Sequence, residues 1–544
     1  MFIYMKKKFF FMLIIFRHLF VISTFTGETS SRGTHFIVGF LEAHASCSLE
    51  LWITPQVNTT LTVNVSSKTA VIHEGVGTGG SLIRVPVPIS FHMTGSSRER
   101  KAISVQSSEV IVLHVRSICS SSGTSYFALP TDAINSNYCV VSYLYSLNGM
   151  AIIGVVAISD KTDIKFELPT NRNISIVYKN EIYKEGDCIS ETLNSYETLQ
   201  IRSSDDLTGT FIKASKPITV LAGFGEFIPD RGVYTMNSVM VDQLLPSCSW
   251  GTEFMTIPVA NTSVIIRVVA IEDNADIYIR TTEGKLEAFA LEKSDFRDTH
   301  LQQGKSIWIE SVSPIASVQI TMQHMPTERP LSNILMPINL YSNSYVYATP
   351  SSSPNNYSLY IAVPEELKGN LFVDTLPLVQ TGISWEICQG NRQNFSTAVM
   401  QVEPGWHRIT MNSTLGFFAM LHDNGENGSF WVPLGMNSTS LLASCSSCCN
   451  LTDFSCVMKK GLGVTDSATV MYTYNYSRQT NSTESAIKIT LESKEVKKPG
   501  GMHPYVLSIV ISLCCAVTLV FLCILGFTIA EFYCRRDDFR NRQD

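Results

Sequence analysis

Four cysteines in one short segment form the densest group of metal-ligating side chains in the sequence. They are Cys445, Cys448, Cys449 and Cys456. Thiolates at this spacing can hold zinc, mostly in reducing compartments, or can join in disulfides in an oxidising one. Because both ends of the chain carry membrane-directed segments, the sequence predicts a disulfide cluster and no metal site.

Two pairs of aspartates follow similar hydrophobic runs. Asp160 with Asp163, and likewise Asp273 with Asp276, could offer hard oxygen ligands to calcium. Aspartate is also common in turns, because its carboxylate accepts hydrogen bonds from nearby backbone amides. Each pair leads directly into a further strand-like run, which favours turns over calcium sites.

The glycine-rich run 75–80 has the glycine spacing of a dinucleotide-binding turn. Such a site needs a helix after the turn, whereas residues 82–88 contain two prolines and predict a strand. A membrane-tethered hydrolase is the alternative, and its cleft would have to gather acids and histidines from distant parts of the chain. Such residues are Asp230, Asp242, His324 and His407. We therefore expect no cofactor and no enzymatic activity.

Residues 505–530 form an uncharged apolar run with basic residues on both sides. About 20 apolar residues in a helix cross a hydrocarbon core, and a helix satisfies its own backbone polar groups there. The run predicts one transmembrane helix in the lipid bilayer. Small residues at Ser508, Ser512 and Ala516 are spaced for close helix contact and suggest a homodimer through this helix.

The opposite end has the pattern of a secretory signal. Lys6, Lys7 and Lys8 precede a short apolar stretch at residues 9–16, after which small and polar residues begin. We expect a signal peptide over residues 1–27, although basic residues interrupt the apolar part and leave the cleavage point, or a retained anchor, open. The chain is then a type I plasma-membrane protein with its N-terminus outside the cell.

Twelve Asn-x-Ser/Thr sequences agree with an extracellular location. The predicted glycosylation sites are Asn58, Asn64, Asn173, Asn261, Asn356, Asn394, Asn412, Asn427, Asn437, Asn450, Asn475 and Asn481. Most of them lie from Asn356 onward, towards the predicted membrane span. A dense glycan coat there would keep the segment extended and resistant to proteases.

Ten of the 14 cysteines fall in the predicted extracellular part. They are Cys47, Cys119, Cys139, Cys188, Cys248, Cys388, Cys445, Cys448, Cys449 and Cys456. An even number in an oxidising compartment predicts up to five disulfides, with the pairing left open.

The charge balance excludes one class of partner. The chain has 544 residues, of which 16% are charged, and a formal net charge of -6. It shows no block or face rich in lysine and arginine, so nucleic acid is not expected to bind.

One pattern recurs along the predicted ectodomain. Segments 108–112, 215–220 and 313–318 each place a serine a few residues before a β-branched run. A Leu-Pro or Met-Pro step follows each segment, and then a hydrophobic run that ends in a polar turn. The spacing is too long for a solenoid turn or a propeller blade and fits a β-sandwich-sized module. The alternative is a chance likeness among β sequences.

Short β-branched and aromatic runs between Gly, Pro, Asn and Ser breaks predict an all-β ectodomain of tandem β-sandwich-like repeats. Pro217 and Pro314 cannot donate to a strand ladder, so we expect each to open an edge strand. Residues 405–407 and 415–420 are expected to supply the closing strands of the last repeat.

An ordered set of motifs lies between residues 206 and 254. Its residues are Asp206, Leu207, Thr208, Gly209, Lys216, Pro217, Gly223, Asp242, Leu245, Pro246, Trp250 and Gly251. In this order they resemble the signature of the IgGFc-binding protein N-terminal domain, over about residues 108–434. The resemblance implies a secreted or surface protein with a role in adhesion, mucus structure or recognition. Nothing matches the von Willebrand factor type D repeats of the protein that names the family, so a membrane-anchored member is expected.

The residue types in this set point to a scaffold. Glycines suit tight turns or positive φ, and Asp206 and Asp242 could cap turns through bonds to the backbone. Trp250 brings a large apolar area to the core. Immunoglobulin binding is not carried over, because no residues that perform it can be mapped onto this chain.

These features divide the chain into six segments. They are the signal peptide (1–27), an N-terminal β region (28–107), the IgGFc-binding-like repeated domain (108–440), the cysteine cluster with a glycosylated stalk (441–504), the transmembrane helix (505–530) and a cytoplasmic tail (531–544). The predicted function is adhesion or recognition of protein or glycan ligands at the cell surface. A shed mucus or matrix glycoprotein is the alternative, beside the hydrolase.

Overall fold

Long strands that change neighbours partway along their length organise this fold. The computed structural model describes residues 31–437, apart from 68–69, 120–122, 145–148, 231–232, 260–261, 282–283, 285, 303, 322–330, 352–355, 379–382, 391–392 and 426–427. All of these residues belong to one compact unit. The predicted signal peptide, cysteine cluster, stalk, transmembrane helix and tail lie outside the described residues.

Eight strands occupy residues 33–127. They are β1 (Gly33–Val38), β2 (Ser48–Pro55), β3 (Thr59–Val65), β4 (Val71–Gly77), β5 (Ile83–Val87), β6 (Ser97–Glu99), β7 (Ile103–Ile118) and β8 (Gly123–Phe127). The first half of β7 pairs with β3 and β1, and its second half pairs with β2 and β8. β4 lies outside β3, and β5 lies outside β2. We call residues 33–127 module 1.

Module 2 (residues 135–243) repeats this arrangement. Its strands are β9 (Asn135–Cys139), β10 (Gly149–Ala157), β11 (Thr162–Glu167), β12 (Ser175–Tyr178), β13 (Glu181–Lys184), β14 (Cys188–Leu193), β15 (Thr198–Ser203), β16 (Phe211–Asp230) and β17 (Val233–Gln243). The first part of β16 pairs with β11 and β9, and the second with β10 and β17. β14 and β15 take the outer places, β12 and β13 form a separate hairpin, and β6 adds to β15.

Module 3 (residues 251–334) has the same pairing again. Its strands are β18 (Gly251–Met255), β19 (Val264–Ala270), β20 (Ala275–Thr281), β21 (Leu286–Leu291), β22 (Phe296–Leu301), β23 (Ile307–Thr321) and β24 (Ser332–Ile334). The first part of β23 pairs with β20 and β18, and the second with β19 and β24. β21 and β22 lie on the outside.

Module 4 (residues 344–433) divides the long strand in two. Its strands are β25 (Ser344–Ala348), β26 (Asn356–Pro364), β27 (Leu371–Val373), β28 (Leu376–Pro377), β29 (Glu386–Cys388), β30 (Phe395–Val402), β31 (Trp406–Met411), β32 (Phe418–Gly425) and β33 (Gly428–Pro433). β31 pairs with β25 and β27, while β32 pairs with β26 and β33. As expected from the sequence, residues near 406 and 418 supply the closing strands.

Four short 3-10 helices connect these strands. They are Ile89–Phe91, Ser247–Ser249, Ile338–Leu340 and Glu365–Asn370. No helix in the part of the chain that the structure describes has the length and hydrophobicity of a membrane span. The all-β class predicted for the ectodomain is therefore confirmed for the described residues.

The repeated sequence segments lie where each long strand changes neighbours. Residues 108–110, 215–217 and 312–314 take no part in the described strand ladders, and pairing resumes at Ile111, Ile218 and Ile315. The repeat seen in the sequence is therefore a repeat of strand pairing. The expected domain boundary between residues 107 and 108 falls inside β7.

The expectation that two prolines open edge strands is wrong. Pro217 and Pro314 lie inside the central strands β16 and β23. Their missing N–H is tolerated because each lies in the stretch that pairs with no neighbour, where a strand bulges outward. The Leu-Pro and Met-Pro steps at Pro130, Pro246 and Pro337 instead occupy the connections between modules.

Corresponding strands of the four modules contact one another in a closed cycle. β8 contacts β17, β17 contacts β24, β24 contacts β33, and β33 contacts β8 again. The backbone N–H of Val241 in β17 donates to the Thr124 hydroxyl of β8 at 2.9 Å. Near the two ends of the described chain, the Ser31 N–H donates to the Met436 carbonyl at 2.8 Å. The first module therefore packs directly against the last.

A buried ion pair joins module 1 to module 4. The Arg116 guanidinium of β7 donates to the Asp423 carboxylate of β32 at 2.6 Å, and their side chains are 5% and 4% exposed. The guanidinium also lies over the rings of Trp52 and Phe430, at 3.8 and 4.1 Å from their centroids. Pairing of β7 with β2 starts at Ile111, and pairing of β32 with β26 starts at Phe418. Arg116 and Asp423 each lie five residues after these starting points, so they occupy corresponding positions in the two strands.

The cysteines follow the sequence expectation only in part. Cys47 and Cys119 form a disulfide that ties the start of β2 to the end of β7. Cys188 and Cys248 each take part in a disulfide as well. Cys139 and Cys388 are buried free thiols, so the expectation that they pair is wrong. Each of these two side chains is enclosed by core residues.

Replacing Asp423 with alanine is expected to destabilise the protein by about 3–5 kcal/mol, because it leaves the buried Arg116 charge without its partner. The matched control is Glu287→Ala, which breaks the exposed Arg297–Glu287 pair and should cost less than about 1 kcal/mol. Urea unfolding of both variants measures the difference. Equal, small losses would contradict the account of the contact between modules 1 and 4.

Candidate functional site

Module 2 carries a cavity of about 800 Å³ against the face of its sheet. This face is built by β14, β11, the first part of β16 and β9, side by side. Alternate residues of a strand point to opposite faces, so polar side chains line the cavity while neighbours such as Phe166 and Ile189 fill the core. The volume falls in the range of small-ligand pockets.

Four residues that line the cavity form one row across the four strands. Asn137 of β9 is paired with Lys213 of β16, Lys213 with Lys165 of β11, and Lys165 with Ser190 of β14. Directly opposed residues have Cβ atoms about 4.5–5.5 Å apart. Two lysine side chains therefore leave the sheet from neighbouring positions, with a neutral hydrogen-bonding side chain beyond each. We call these four residues the lysine row.

Acidic residues flank the lysine row on the same face. The Asp163 carboxylate accepts a hydrogen bond from the Thr192 hydroxyl at 2.7 Å. Glu167 lies on the other side of the row. Burial raises the pKa of Glu167 above its ordinary value, although the positive charges of Lys165 and Lys213 act in the opposite direction. The face thus combines two lysines with one carboxylate that is partly withdrawn from water.

The chemistry of this lining suits binding of a charged polar ligand. Lysine ammonium groups donate charge-assisted hydrogen bonds to carboxylate, sulfate or phosphate oxygens. The Asn137 amide and the Ser190 hydroxyl can each both donate and accept. Lys165 and Lys213 lie directly opposite each other in the sheet, so one anion at this face can approach both side chains.

Nothing in the sequence singles out the lysine row. Its members lie on four strands, and only the strand register brings them together. The one signal available in the sequence is the alternation of charged residues at 163, 165 and 167 with apolar ones, which indicates a strand with one polar face.

Asp242 and His407, two of the residues proposed for a hydrolase cleft, lie in different modules. Asp242 lies in β17 of module 2, whereas His407 lies in β31 of module 4 and pairs with Asp374 at 3.0 Å. His324 lies outside the described residues.

The family motif at residues 206–209 builds the contact between modules 2 and 3. The Asp206 carboxylate accepts a hydrogen bond from the Thr208 backbone N–H at 3.0 Å, as the turn-capping expectation requires. It also bonds Arg267 of β19, which is 4% exposed and holds Asp298 through two further bonds of 2.8 and 2.9 Å. Burial would raise the pKa of Asp206, but the Arg267 charge lowers it below its ordinary value.

Two glycines of the motif lie where another backbone segment comes so close that it leaves no room for a side chain. Gly209 has φ +82°, and a Cβ there would lie 2.3 Å from the Ser294 carbonyl oxygen of module 3. Gly223 lies inside β16, where a Cβ would meet the Met240 carbonyl oxygen of β17 at 2.0 Å. Gly223 and Gly251 therefore occupy strands, and the expectation of turns or positive φ holds only for Gly209.

Most other motif residues support the modules. Leu207, Leu245 and Trp250 are buried, which agrees with a scaffold role. Pro246 precedes the 3-10 helix between modules 2 and 3. Lys216 and Pro217 are exposed at the point where β16 changes neighbours.

Asp242 does not cap a turn, contrary to expectation. It lies inside β17, and its carboxylate accepts a hydrogen bond from the Ser332 hydroxyl of β24 at 2.9 Å. The side chain is 9% exposed, and burial raises the pKa of Asp242 to about 6. This carboxyl therefore lies at the contact between modules 2 and 3 in a place that disfavours its charge.

Of the four aspartates considered for calcium, Asp160 and Asp273 act in turns, whereas Asp163 and Asp276 lie in the strands β11 and β20. The Asp160 carboxylate accepts a hydrogen bond from the Ser195 N–H at 3.0 Å, and Asp273 accepts the corresponding bond from the Lys293 N–H at 3.0 Å. Among the described residues, no cluster of three or more metal-ligating side chains occurs. The strand β5 follows the glycine-rich run 75–80, where a dinucleotide site would need a helix.

The predicted glycosylation sites differ in exposure. Those with exposed side chains are Asn58, Asn173, Asn356, Asn394 and Asn412, whereas Asn437 is half-buried. Asn64 lies inside β3 and is only 5% exposed, so the fold has no room for a glycan there. Asn261, Asn427, Asn450, Asn475 and Asn481 lie outside the residues whose side chains are described.

Substituting Asn58 with glutamine is expected to remove one N-glycan, whereas Asn64→Gln should leave the glycan count unchanged. The reason is that Asn58 is exposed while Asn64 is enclosed between β4 and β7. Intact-protein mass before and after enzymatic deglycosylation measures both variants. A glycan on Asn64 in the folded protein would contradict the placement of β3.

Substituting Asp242 with asparagine is expected to stabilise the protein at pH 7. The folded-state pKa of about 6 lies above the unfolded value of 3.8, so Asp242 lowers stability as pH rises from about 4 to 6. The gain over the unsubstituted protein should therefore shrink towards zero by pH 4. Thermal unfolding across this range measures it, with exposed Asp132→Asn as the control. A gain that grows on acidification would contradict the burial of this carboxyl.

Part of the chain is similar in sequence to known proteins. A family model described as IgGFc binding protein matches residues 124–421, from β8 through the first half of β32. Human IgGFc-binding protein is 25% identical over 185 residues, which is 34% of this chain and 3% of that protein. The chain therefore spans only a small part of this relative's length.

Solved structures offer only distant likenesses. The major pilin of Streptococcus pyogenes matches with a TM-score of 0.13 and 9% identity, over 56% of this chain and 98% of the pilin chain. A tetra-tandem repeat from the extending region of a large adhesion protein gives a TM-score of 0.09 and 9% identity, over 74% and 98% of the two chains.

The family match covers modules 2 and 3 and most of module 4, which is more than half of the sequence. It includes the lysine row, the 206–209 turn and Asp242. Module 1 lies almost wholly outside it, although its pairing pattern is the same. This chain belongs to the IgGFc-binding protein family.

Proposed function

We propose that this chain is a type I cell-surface glycoprotein whose β-sandwich-like modules recognise an extracellular protein or glycan. The observation that carries the proposal is the cavity of about 800 Å³ in module 2, lined by the lysine row. Family membership supports an extracellular recognition or mucus-type role. Adhesion follows if the ligand belongs to another cell or to the matrix.

The extracellular location has physical support in the described residues. The Cys47–Cys119 disulfide is of a kind that persists in oxidising compartments. Five of the predicted glycosylation sites have exposed side chains, as acceptors require.

The membrane anchor rests on the sequence alone. The apolar run 505–530 is long enough to cross a bilayer, and residues 1–27 have the pattern of a secretory signal. In this arrangement modules 1 to 4 stand outside the cell, on a glycosylated stalk.

The name of the human relative suggests one ligand to test, the Fc part of IgG. The shared segment is 3% of that protein, so IgG binding by this chain is a question for direct measurement. A shed mucus or matrix glycoprotein is the alternative use of the same modules, with release by cleavage in the stalk.

Antibody raised against modules 1 to 4 is expected to stain intact cells that express the full-length chain, because the modules lie outside the membrane. Deleting residues 505–530 should move the protein into the medium. Flow cytometry with and without permeabilisation, together with blots of cells and medium, measures both.

Two results would contradict the proposal in different ways. Staining that appears only after permeabilisation would end the surface location. If cells that express the full-length chain accumulate a shortened product in the medium, the shed glycoprotein is favoured instead. Surface expression of the Glu287→Ala variant serves as the control for folding.

A further inference from the structure

We infer that β21, the outer strand of module 3, pairs with the same strand of a second copy of this chain. The two strands run antiparallel and join the module 3 sheets of both copies into one continuous sheet. This inference rests on the proposed surface location and names one protein partner of the modules. It does not involve the cavity of module 2.

One side of β21 is available to a further strand. Among the described strands β21 pairs only with β20, and it ends the sheet order β21-β20-β23-β19-β22. The outward N–H and C=O groups of such an edge are a template for another strand, and adding a strand is a recurring way in which β proteins bind.

The sequence of β21 favours pairing. Its six residues contain no proline or glycine, and Glu287 is the one charged side chain among them. Glu287 is already paired with Arg297 of β22, whose guanidinium also lies over the Phe289 ring at 4.3 Å from the centroid. These contacts hold Glu287 and Phe289 on one face of the strand.

Other outer strands carry features that discourage pairing. β5 and β28 contain Pro86 and Pro377, which have no N–H to donate. β6 and β29 are only three residues long, and β4 lies beside a shift in strand register. β14 is linked to the hairpin β12–β13 through the Glu191–Lys179 ion pair. β21 is therefore better suited to bind a strand than these others are.

The opposite face of β21 is apolar and exposed. Leu286, Ala288 and Ala290 alternate along the strand and share this face, and Leu286 is 52% exposed. Tyr278 of β20 lies directly opposite Ala288 and is 38% exposed. A second strand beside β21 covers these side chains while it satisfies the backbone groups of the edge.

A second copy fits this edge because β21 is complementary to itself. Antiparallel pairing centred on Ala288 sets the two Ala288 residues opposite each other. Leu286 then lies opposite Ala290 of the second copy, and Glu287 lies opposite its Phe289. Each exposed leucine thus meets a small side chain, and no like charges are opposed.

The proposed display on a membrane brings copies of this edge together. Chains anchored in one membrane meet at a raised effective concentration, which favours an interaction of modest affinity. No Asn-x-Ser/Thr sequence falls between residues 262 and 355, so no N-glycan is expected on β20, β21 or β22. The edge is thereby left open to a protein partner.

The test places a cysteine at the centre of the inferred pairing. The variant A288C, as full-length chain in cell membranes under a mild oxidant, should form a disulfide-linked dimer. We expect about fivefold more dimer than from the unsubstituted chain, because opposed strand residues have Cα atoms about 4.5–5.5 Å apart, within reach of a disulfide. Non-reducing gels measure the dimer. The control V76C, at a 77% exposed position of the outer strand β4, should give no excess.

A second variant tests the same contact without a cross-link. A288K opposes two lysines at the centre of the pairing, and like charges directly opposite each other are destabilising. Energy transfer between donor-tagged and acceptor-tagged copies in one membrane should fall by about half, whereas V76K should leave it unchanged. Antibody staining of intact cells shows whether each variant folds and reaches the surface.

Every outcome bears on the inference. A dimer from A288C and not from V76C supports it, whether the joined copies come from one cell or from two mixed populations with different tags. No excess dimer from A288C at normal surface staining overturns it and leaves the surface location intact. Cross-linking of A288C to a different protein alone overturns the second copy as the partner. Loss of surface staining by the unsubstituted chain would instead count against the proposed function.

Discussion

The fold depends on how a long strand keeps its backbone hydrogen bonds as it passes from one pair of neighbours to the next. Buried N–H and C=O groups need partners, so the change must occur where the strand bulges into solvent. Residues 108–110, 215–217 and 312–314 provide that place, and two of the three segments contain a proline, which has no N–H to satisfy. In module 4 the chain breaks between β31 and β32 instead.

The closed cycle of contacts among the four modules follows from the same strand arrangement. Each module presents one strand beside the second part of its long strand, and these four strands contact one another in turn. Buried charges define the contacts: Arg116 with Asp423 between modules 1 and 4, and Arg267 with Asp206 between modules 2 and 3. Since each of these ions needs its partner when buried, the contacts are specific. These contacts fix the position of the module 2 sheet, which carries the lysine row, relative to the other modules.

The sequence predicts the all-β class and the repeated modules of this fold. It does not predict which residues of different strands and modules come into contact. Alternating β-branched runs give the all-β class, and the serine-containing repeats mark the modules. The sequence marks module 1 less clearly, because its copy has Val110 where the other two have a proline. The lysine row and the buried ion pairs join residues from different strands or modules, and no local pattern encodes them. Free thiols at Cys139 and Cys388 are likewise decided by tertiary placement and not by cysteine number.

The central claim is that module 4 packs against module 1, so that the four modules form one closed unit. Spin labels at the exposed positions Val110 in module 1 and Leu415 in module 4 test it through the distance distribution between them. A closed cycle predicts one narrow distribution in the intact protein. A broad distribution, as from modules strung along an open chain, would contradict the account.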